Sequence, residues 1–163
     1  MRTAWALGGM LALAACAHHR VVQGGETITY AAGRCFGTCP VYAVTLGPDG
    51  QGVFAGEVYT ASTGEHRFQA TPAQVRAFTE RLAAFRPAGE ELIESGARGR
   101  GGRRCREAAT DQSTLDIRWQ PALAPASHLR FYYGCDVAKN RAMADALRSA
   151  PDLLPLAALI GKR

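Results

Sequence analysis

Five cysteines and four histidines are the residues of this chain best able to do chemistry. Cys35 and Cys39 are separated by Phe36-Gly37-Thr38 and followed by Pro40. Two thiolates at that spacing can hold soft Cu(I), exchange with other thiols, or close into a disulfide. A metal would need a further ligand from far along the chain, and His66 or His128 could supply it. A histidine on a strand is more commonly a surface residue. Unassisted thiols, with pKa about 8.5, are poor nucleophiles, and Arg34 is the only nearby cation in the sequence to lower it. His18 and His19 fall in a polar stretch and read as solvated.

The chemistry of the fifth cysteine, Cys16, is set by the residues before it. Arg2 is the only charge among them, and residues 3–15 are mostly Ala, Leu, Gly, Met and Trp. That run suits a signal-peptide core and falls short of the about 20 residues a membrane span takes. Leu13-Ala14-Ala15-Cys16 resembles the lipobox of bacterial lipoproteins. The resemblance implies a diacylglyceryl group on the Cys16 sulfur, cleavage before it, and acylation of the new amine. Acyl chains contribute about 0.8 kcal/mol per buried CH2, so two or three hold firmly. Ala17 follows where an Asp would signal retention at the inner membrane, so the expected location is the periplasmic face of the outer membrane. Residues 17–25 then form a polar tether.

With Cys16 set aside, Cys35, Cys39, Cys105 and Cys135 remain. An even number outside the cytoplasm indicates two disulfides, with three possible connectivities. The preferred pairing joins Cys35 to Cys39 across a tight loop and Cys105 to Cys135 across about 30 residues, worth roughly 3–4 kcal/mol in the chain-entropy model. The crossed pairings remain open.

The elements that must position these residues are read from periodicity. Residues 26–32, 40–46, 51–59 and 65–70 are β-rich, and Gly47-Pro48-Asp49-Gly50 is a hairpin turn. At Thr71-Pro72-Ala73-Gln74 the period changes to helical, with an N-cap, a proline at the first helical position and a capping box. Val75, Phe78, Leu82 and Phe85 define its apolar face, and Pro87 ends it. Residues 96–106 (GARGRGGRRCR) predict a mobile basic loop. Residues 114–119 and 128–133 alternate and predict an antiparallel pair, in the register that sets Arg130 opposite Asp116 rather than Arg118. A second helix is expected over residues 136–149, with Met143, Leu147 and Ala150 inward. Pro155 limits the apolar C-terminal stretch to a packed turn or short helix.

The pattern is α+β: an antiparallel sheet of five or six strands with two main helices, in the order β-β-β-β-α-β-β-α. The expected organisation is a signal peptide (1–15), a lipidated tether (16–25), one domain (26–154) and a C-terminal tail (155–163). A chain of 163 residues with 47% hydrophobic and 20% charged residues is neither disordered nor a coiled coil. There is no G-x-S-x-G, H-E-x-x-H or phosphate-binding glycine loop. Glu90 and Glu91 are adjacent and point apart in any regular element. Glu94 and Asp111 could pair with the arginine loop, and Asp136 and Glu107 lack an evident partner.

The segment Gly33-Arg34-Cys35-Phe36-Gly37-Thr38-Cys39-Pro40-Val41-Tyr42, with Asp49-Gly50 after the next strand, resembles the uncharacterised bacterial family DUF6438. Members of that family, often lipoproteins, carry a C-F-G-x-C-P-V-Y element, a strand and a D-G turn. The resemblance implies a domain and no activity. The Cys-x-x-x-Cys-Pro element is also similar to the copper motif of Sco-type copper chaperones. Their thioredoxin-like parallel units do not match the hairpin pattern here.

The expected protein is therefore a lipid-anchored envelope module, binding or structural, without a catalytic set or cofactor. The alternative is a periplasmic copper-binding or thiol-redox protein using Cys35 and Cys39. The membrane is a partner through the N-terminal lipid, and an anionic envelope surface or another envelope protein is the further partner class. The net charge of +5 favours anionic surfaces, but an exported protein meets no cytoplasmic nucleic acid.

Overall fold

The structure, a computed structural model, describes residues 25–99 and 101–161. The leader, Cys16, His18, His19 and nearly all of the tether lie outside the described residues.

Four strands form the first half: β1 (Glu26–Ala32), β2 (Val41–Leu46), β3 (Gln51–Val58) and β4 (Gly64–Gln69). The β2–β3 turn is built as its residues predict. Gly50 takes φ 82°, and the Asp49 carboxylate accepts from the Gln51 backbone N–H at 3.0 Å. Helix α1 (Pro72–Ala83) starts at Thr71, whose side chain accepts from the Gln74 N–H while the Gln74 side chain accepts from the Thr71 N–H. Phe78 and Leu82 are buried on its inner face.

The second half contains β5 (Glu90–Glu94), β6 (Gly102–Arg104), β7 (Thr114–Pro121), β8 (Ser127–Tyr132) and α2 (Val137–Ser149). A 3-10 turn (Ala150–Leu153) and α3 (Ala157–Ile160) complete the chain. The eight strands make one sheet, in the order β4-β3-β2-β1-β7-β8-β5-β6. β7 and β8 pair antiparallel with Asp116 opposite Arg130, the register that charge complementarity selects.

The fold is α+β, but the sheet is larger than expected and mixed. β5 and β6 are the additional strands. After α1 the chain reaches the far side of the sheet, where β5 runs parallel to β8 and β6 runs parallel to β5. The sequence EELIE carries three glutamates and no strong strand signal. Part of the expected arginine loop is β6, only three residues long. Seven residues return the chain from β5 to β6, fewer than the dozen a parallel connection ordinarily needs, so only a short stretch pairs. Glu90 and Glu91 do point apart: Glu90 meets His128 and Glu91 meets Arg103.

Register places Ile28, Tyr30, Val44, Leu46, Phe54, Leu115, Ile117, Trp119, Leu129 and Phe131 on one face, and all are buried with the inner residues of the helices. The other face carries Thr29, Thr45, Asp116, Arg118, His128 and Arg130, none of them buried. The packed unit also runs past residue 154. Leu156 and Ile160 are buried in the same core, and the Ala61 N–H donates to the Ile160 carbonyl at 3.1 Å. The expected tail is therefore a core element, because two apolar side chains one helical turn apart close the sheet near β3. No described helix is long and apolar enough to cross a membrane.

Candidate functional site

The C-terminal end of β1 is where the unusual residues gather. Beyond Ala32 the chain forms the loop that carries Cys35 and Cys39, whose sulfurs lie 1.98 Å apart. The second pair, Cys105 and Cys135, is also at bonding distance, 2.01 Å. The first loop is fixed at two further points. The Gly33 N–H donates to the Thr114 carbonyl at 2.8 Å, and the Phe36 N–H donates to the Asp111 carbonyl at 3.2 Å. A methyl group at Gly33 would stand 2.9 Å from the Thr114 carbonyl oxygen, so close approach to β7 requires glycine here. Phe36 itself is 87% exposed at the loop tip.

Under this loop lies a cavity of about 520 Å³, within the range of small-molecule sites. Its walls come from separate parts of the chain. β1 and β2 contribute Tyr30 and Tyr42, the disulfide loop contributes both cysteines and Thr38, and Ser113, Tyr133 and Arg148 close the other side. Tyr30 and Tyr42 stack with ring centroids 6.3 Å apart. The Arg148 guanidinium lies over the Tyr133 ring at 4.6 Å. Tyr30 donates from its hydroxyl to the Leu147 carbonyl at 3.1 Å, which fixes α2 against the cavity floor. The site is thus aromatic and apolar, with one cation and a few hydroxyls. Ligand sites commonly combine an apolar lining with a small number of placed polar groups.

The segment that carries the sequence resemblance supplies this wall. A family model described as a domain of unknown function, DUF6438, matches residues 26–150. The chain belongs to the DUF6438 family. No curated protein and no solved structure matches it. In this DUF6438 domain the C-F-G-T-C-P-V-Y residues include Cys35, Gly37, Thr38, Cys39, Pro40 and Tyr42 of the cavity lining.

The histidines stay apart from the cysteines. His128 is on the helix-free face, with Nε2 2.9 Å from Asp116 and Nδ1 3.3 Å from Glu90. His66 is on edge strand β4, its Nε2 3.0 Å from the Thr63 carbonyl. Four strands separate β4 from β8. Among the described residues, no three His, Cys, Asp or Glu side chains are grouped to hold a metal ion. The ligand set Cys35, Cys39 and His66 or His128 is therefore not assembled.

The acidic residues have different partners from those expected. Glu94 accepts from Arg130 Nε at 2.9 Å, and Arg130 also bonds Asp116 at 2.9 Å. The hydrogen bond that Arg130 donates to Glu94 raises the Arg130 pKa above its ordinary value, burial opposes it, and the nearby Asp116 adds to the rise. Asp111 accepts from the Thr110 hydroxyl at 3.0 Å. Asp136 Oδ1 accepts from the Arg106 and Glu107 backbone N–H groups, each at 2.9 Å, beside the Cys105–Cys135 bridge. Arg34 faces Glu57 at 3.6 Å, with both side chains exposed.

Tyr30, Tyr133, Ser113 and Arg148 are the site residues that linear reading missed, and Tyr42 entered it only through the family resemblance. The tyrosines carry the signature of core residues on alternating strands. Arg148 reads as an ordinary charge near a helix C-terminus. No local pattern marks residues whose only common property is meeting across the fold.

Proposed function

We propose that this protein is a lipid-anchored module of the bacterial envelope, acylated at Cys16, whose single domain binds a small ligand without catalysing a reaction. The observation that carries the binding reading is the cavity walled by the C-F-G-T-C-P-V-Y residues. Anchoring rests on the Leu13-Ala14-Ala15-Cys16 motif.

The direction of β1 is consistent with that arrangement. Its first residue, Glu26, pairs with Pro121 at one end of the sheet, and its last, Ala32, lies at the cavity. Seven residues of strand span roughly 20 Å. A short anchor before Gly25 would leave the cavity at the opposite end from the bilayer, open to the aqueous compartment.

Intact mass of membrane-extracted protein, measured without reductant, tests the anchor and the crosslinks together. The expected mass lacks residues 1–15, carries two or three acyl chains, and is four hydrogens lighter than the thiol form. Cys16→Ser should leave the leader attached and remove the acyl mass. A full-length, unacylated wild-type product would refute the anchor. Cavity binding is tested separately, by ligand titration.

A second reading, thiol–disulfide exchange at Cys35–Cys39, draws support from the position of that pair in the cavity wall. It requires that purified protein accept electrons from a dithiol at this pair before Cys105–Cys135. Copper uptake would require the cysteines to recruit a ligand from outside the pair.

A further inference from the structure

We infer that the apolar loop between β7 and β8, with Leu123 at its tip, docks into the headgroup layer of the bilayer that holds the chain. The inference rests on the reading of Cys16 as a lipid anchor and adds the surface of the domain that meets the membrane.

The composition of the loop is unusual for a turn in water. Pro121-Ala122-Leu123-Ala124-Pro125-Ala126 contains no charged or hydrogen-bonding side chain. Turns exposed to water favour Asn, Asp, Ser and Gly, and this one has none of them. Residues 122–126 are all exposed, Leu123 to 91%. Pro121 and Pro125 lack backbone N–H groups, and the Ala122 N–H is already bonded. Few backbone donors are therefore left to strip of water at a lipid interface, where each would cost free energy. The remaining exposed backbone limits the depth to the boundary between headgroups and acyl chains.

The loop stands where the anchor enters the domain. The Ala122 N–H donates to the Gly25 carbonyl at 3.1 Å. Pro48, also exposed, lies so close to Gly25 that a Cβ there would clash with it. Gly25 follows Cys16 by nine positions, and nine residues reach at most about 30 Å when extended. One leucine and its small neighbours bury too little apolar surface to hold a protein on a bilayer. The tether makes their contact intramolecular, at an effective concentration on the order of millimolar, so a weak contact is populated. Its consequence is a fixed orientation of the domain. Phe36, the exposed aromatic of the disulfide loop, lies at the other end of β1 and faces water in that orientation.

The test uses membrane-extracted protein reconstituted into phosphatidylcholine vesicles brominated on the upper acyl chain, where bromine quenches an indole only at close range. Ala124→Trp sets the reporter beside an intact Leu123. Cleavage removes Trp5 and leaves the buried Trp119, so the unsubstituted protein supplies the baseline. Ala124→Trp should show blue-shifted emission that bromine quenches. Phe36→Trp, the same reporter at the far end, should show neither effect. Adding Leu123→Asp to Ala124→Trp should lower quenching to the Phe36→Trp level while the protein still floats with the vesicles. Leu123 and Ala124 are both exposed, so urea midpoints should not change.

Acylated protein that floats, but whose Ala124→Trp reporter is quenched no more than Phe36→Trp, would overturn the docking while leaving the anchor in place. Quenching that survives Leu123→Asp would overturn the assignment to Leu123. A blue shift without bromine quenching would mean that a protein covers the loop, and would overturn the bilayer contact. A chain whose intact mass shows no acyl group would overturn both readings.

Discussion

The Tyr30 hydroxyl and the Leu147 carbonyl, 117 positions apart in the chain, are joined by a 3.1 Å hydrogen bond. The bond links a central strand to the last turn of α2, where the Leu147 carbonyl also accepts from the Ala150 backbone N–H. It also holds the helix that presents Arg148. Tyr30→Phe keeps the ring and removes the donor, so stability should fall by about 1 kcal/mol. Urea midpoints at constant m-value measure that loss.

The two disulfides should differ in their effect on stability. Cys105–Cys135 closes a loop with sequence separation 30, and Cys35–Cys39 one with separation 4. Chain entropy predicts roughly 3–4 kcal/mol for the first and roughly 2 kcal/mol for the second. Replacing Cys105 and Cys135 together by Ala should therefore lower the thermal midpoint more than replacing Cys35 and Cys39. Removing the shorter bridge should instead loosen the cavity wall, read as faster hydrogen exchange at the Gly33 and Phe36 amides that tie the loop to Thr114 and Asp111.

The C-terminal helix contributes to the core rather than trailing from it. Leu156 is fully buried. Leu156→Ala should cost about 2–5 kcal/mol, the range for truncating a buried leucine. A chain ending at Leu154 should lose cooperative unfolding, as monitored by near-UV circular dichroism. A truncated chain with wild-type stability would mean that Leu156 and Ile160 do not close the core.

Arg130 bonds both Glu94 and Asp116, but its side chain is 40% exposed. Solvent screening limits each pair to about 1 kcal/mol or less. A double-mutant cycle of Arg130→Met with Asp116→Asn should return a coupling in that range, smaller at 1 M salt. Because folding raises the Arg130 pKa, its contribution is fully present below the unfolded-state value. It is lost only as pH climbs through the higher folded value. Arg130 ionisation should therefore add no slope to stability between about pH 5 and 9.

Local signals identified most of the framework. The Thr71–Gln74 capping box, the Pro48-Asp49-Gly50 turn and the alternation over residues 114–119 each specify an element through contacts a few residues apart. The Asp116–Arg130 register was legible because one alternative set two arginines opposite each other. β5 and β6 were not legible. EELIE and GRR become strands by pairing beside β8, and nothing in their composition favours that state.

By itself the sequence determined the α+β class, the family and the even set of cysteines in the domain. Tertiary structure decided which side chains share a space. It separated His66 and His128 onto distant strands and brought Tyr30, Tyr42, Tyr133 and Arg148 around one cavity. Capping and alternation act between near neighbours and leave a periodic trace in the chain. A cavity depends on where remote strands and a helix come to rest, which is set by burial of the whole core.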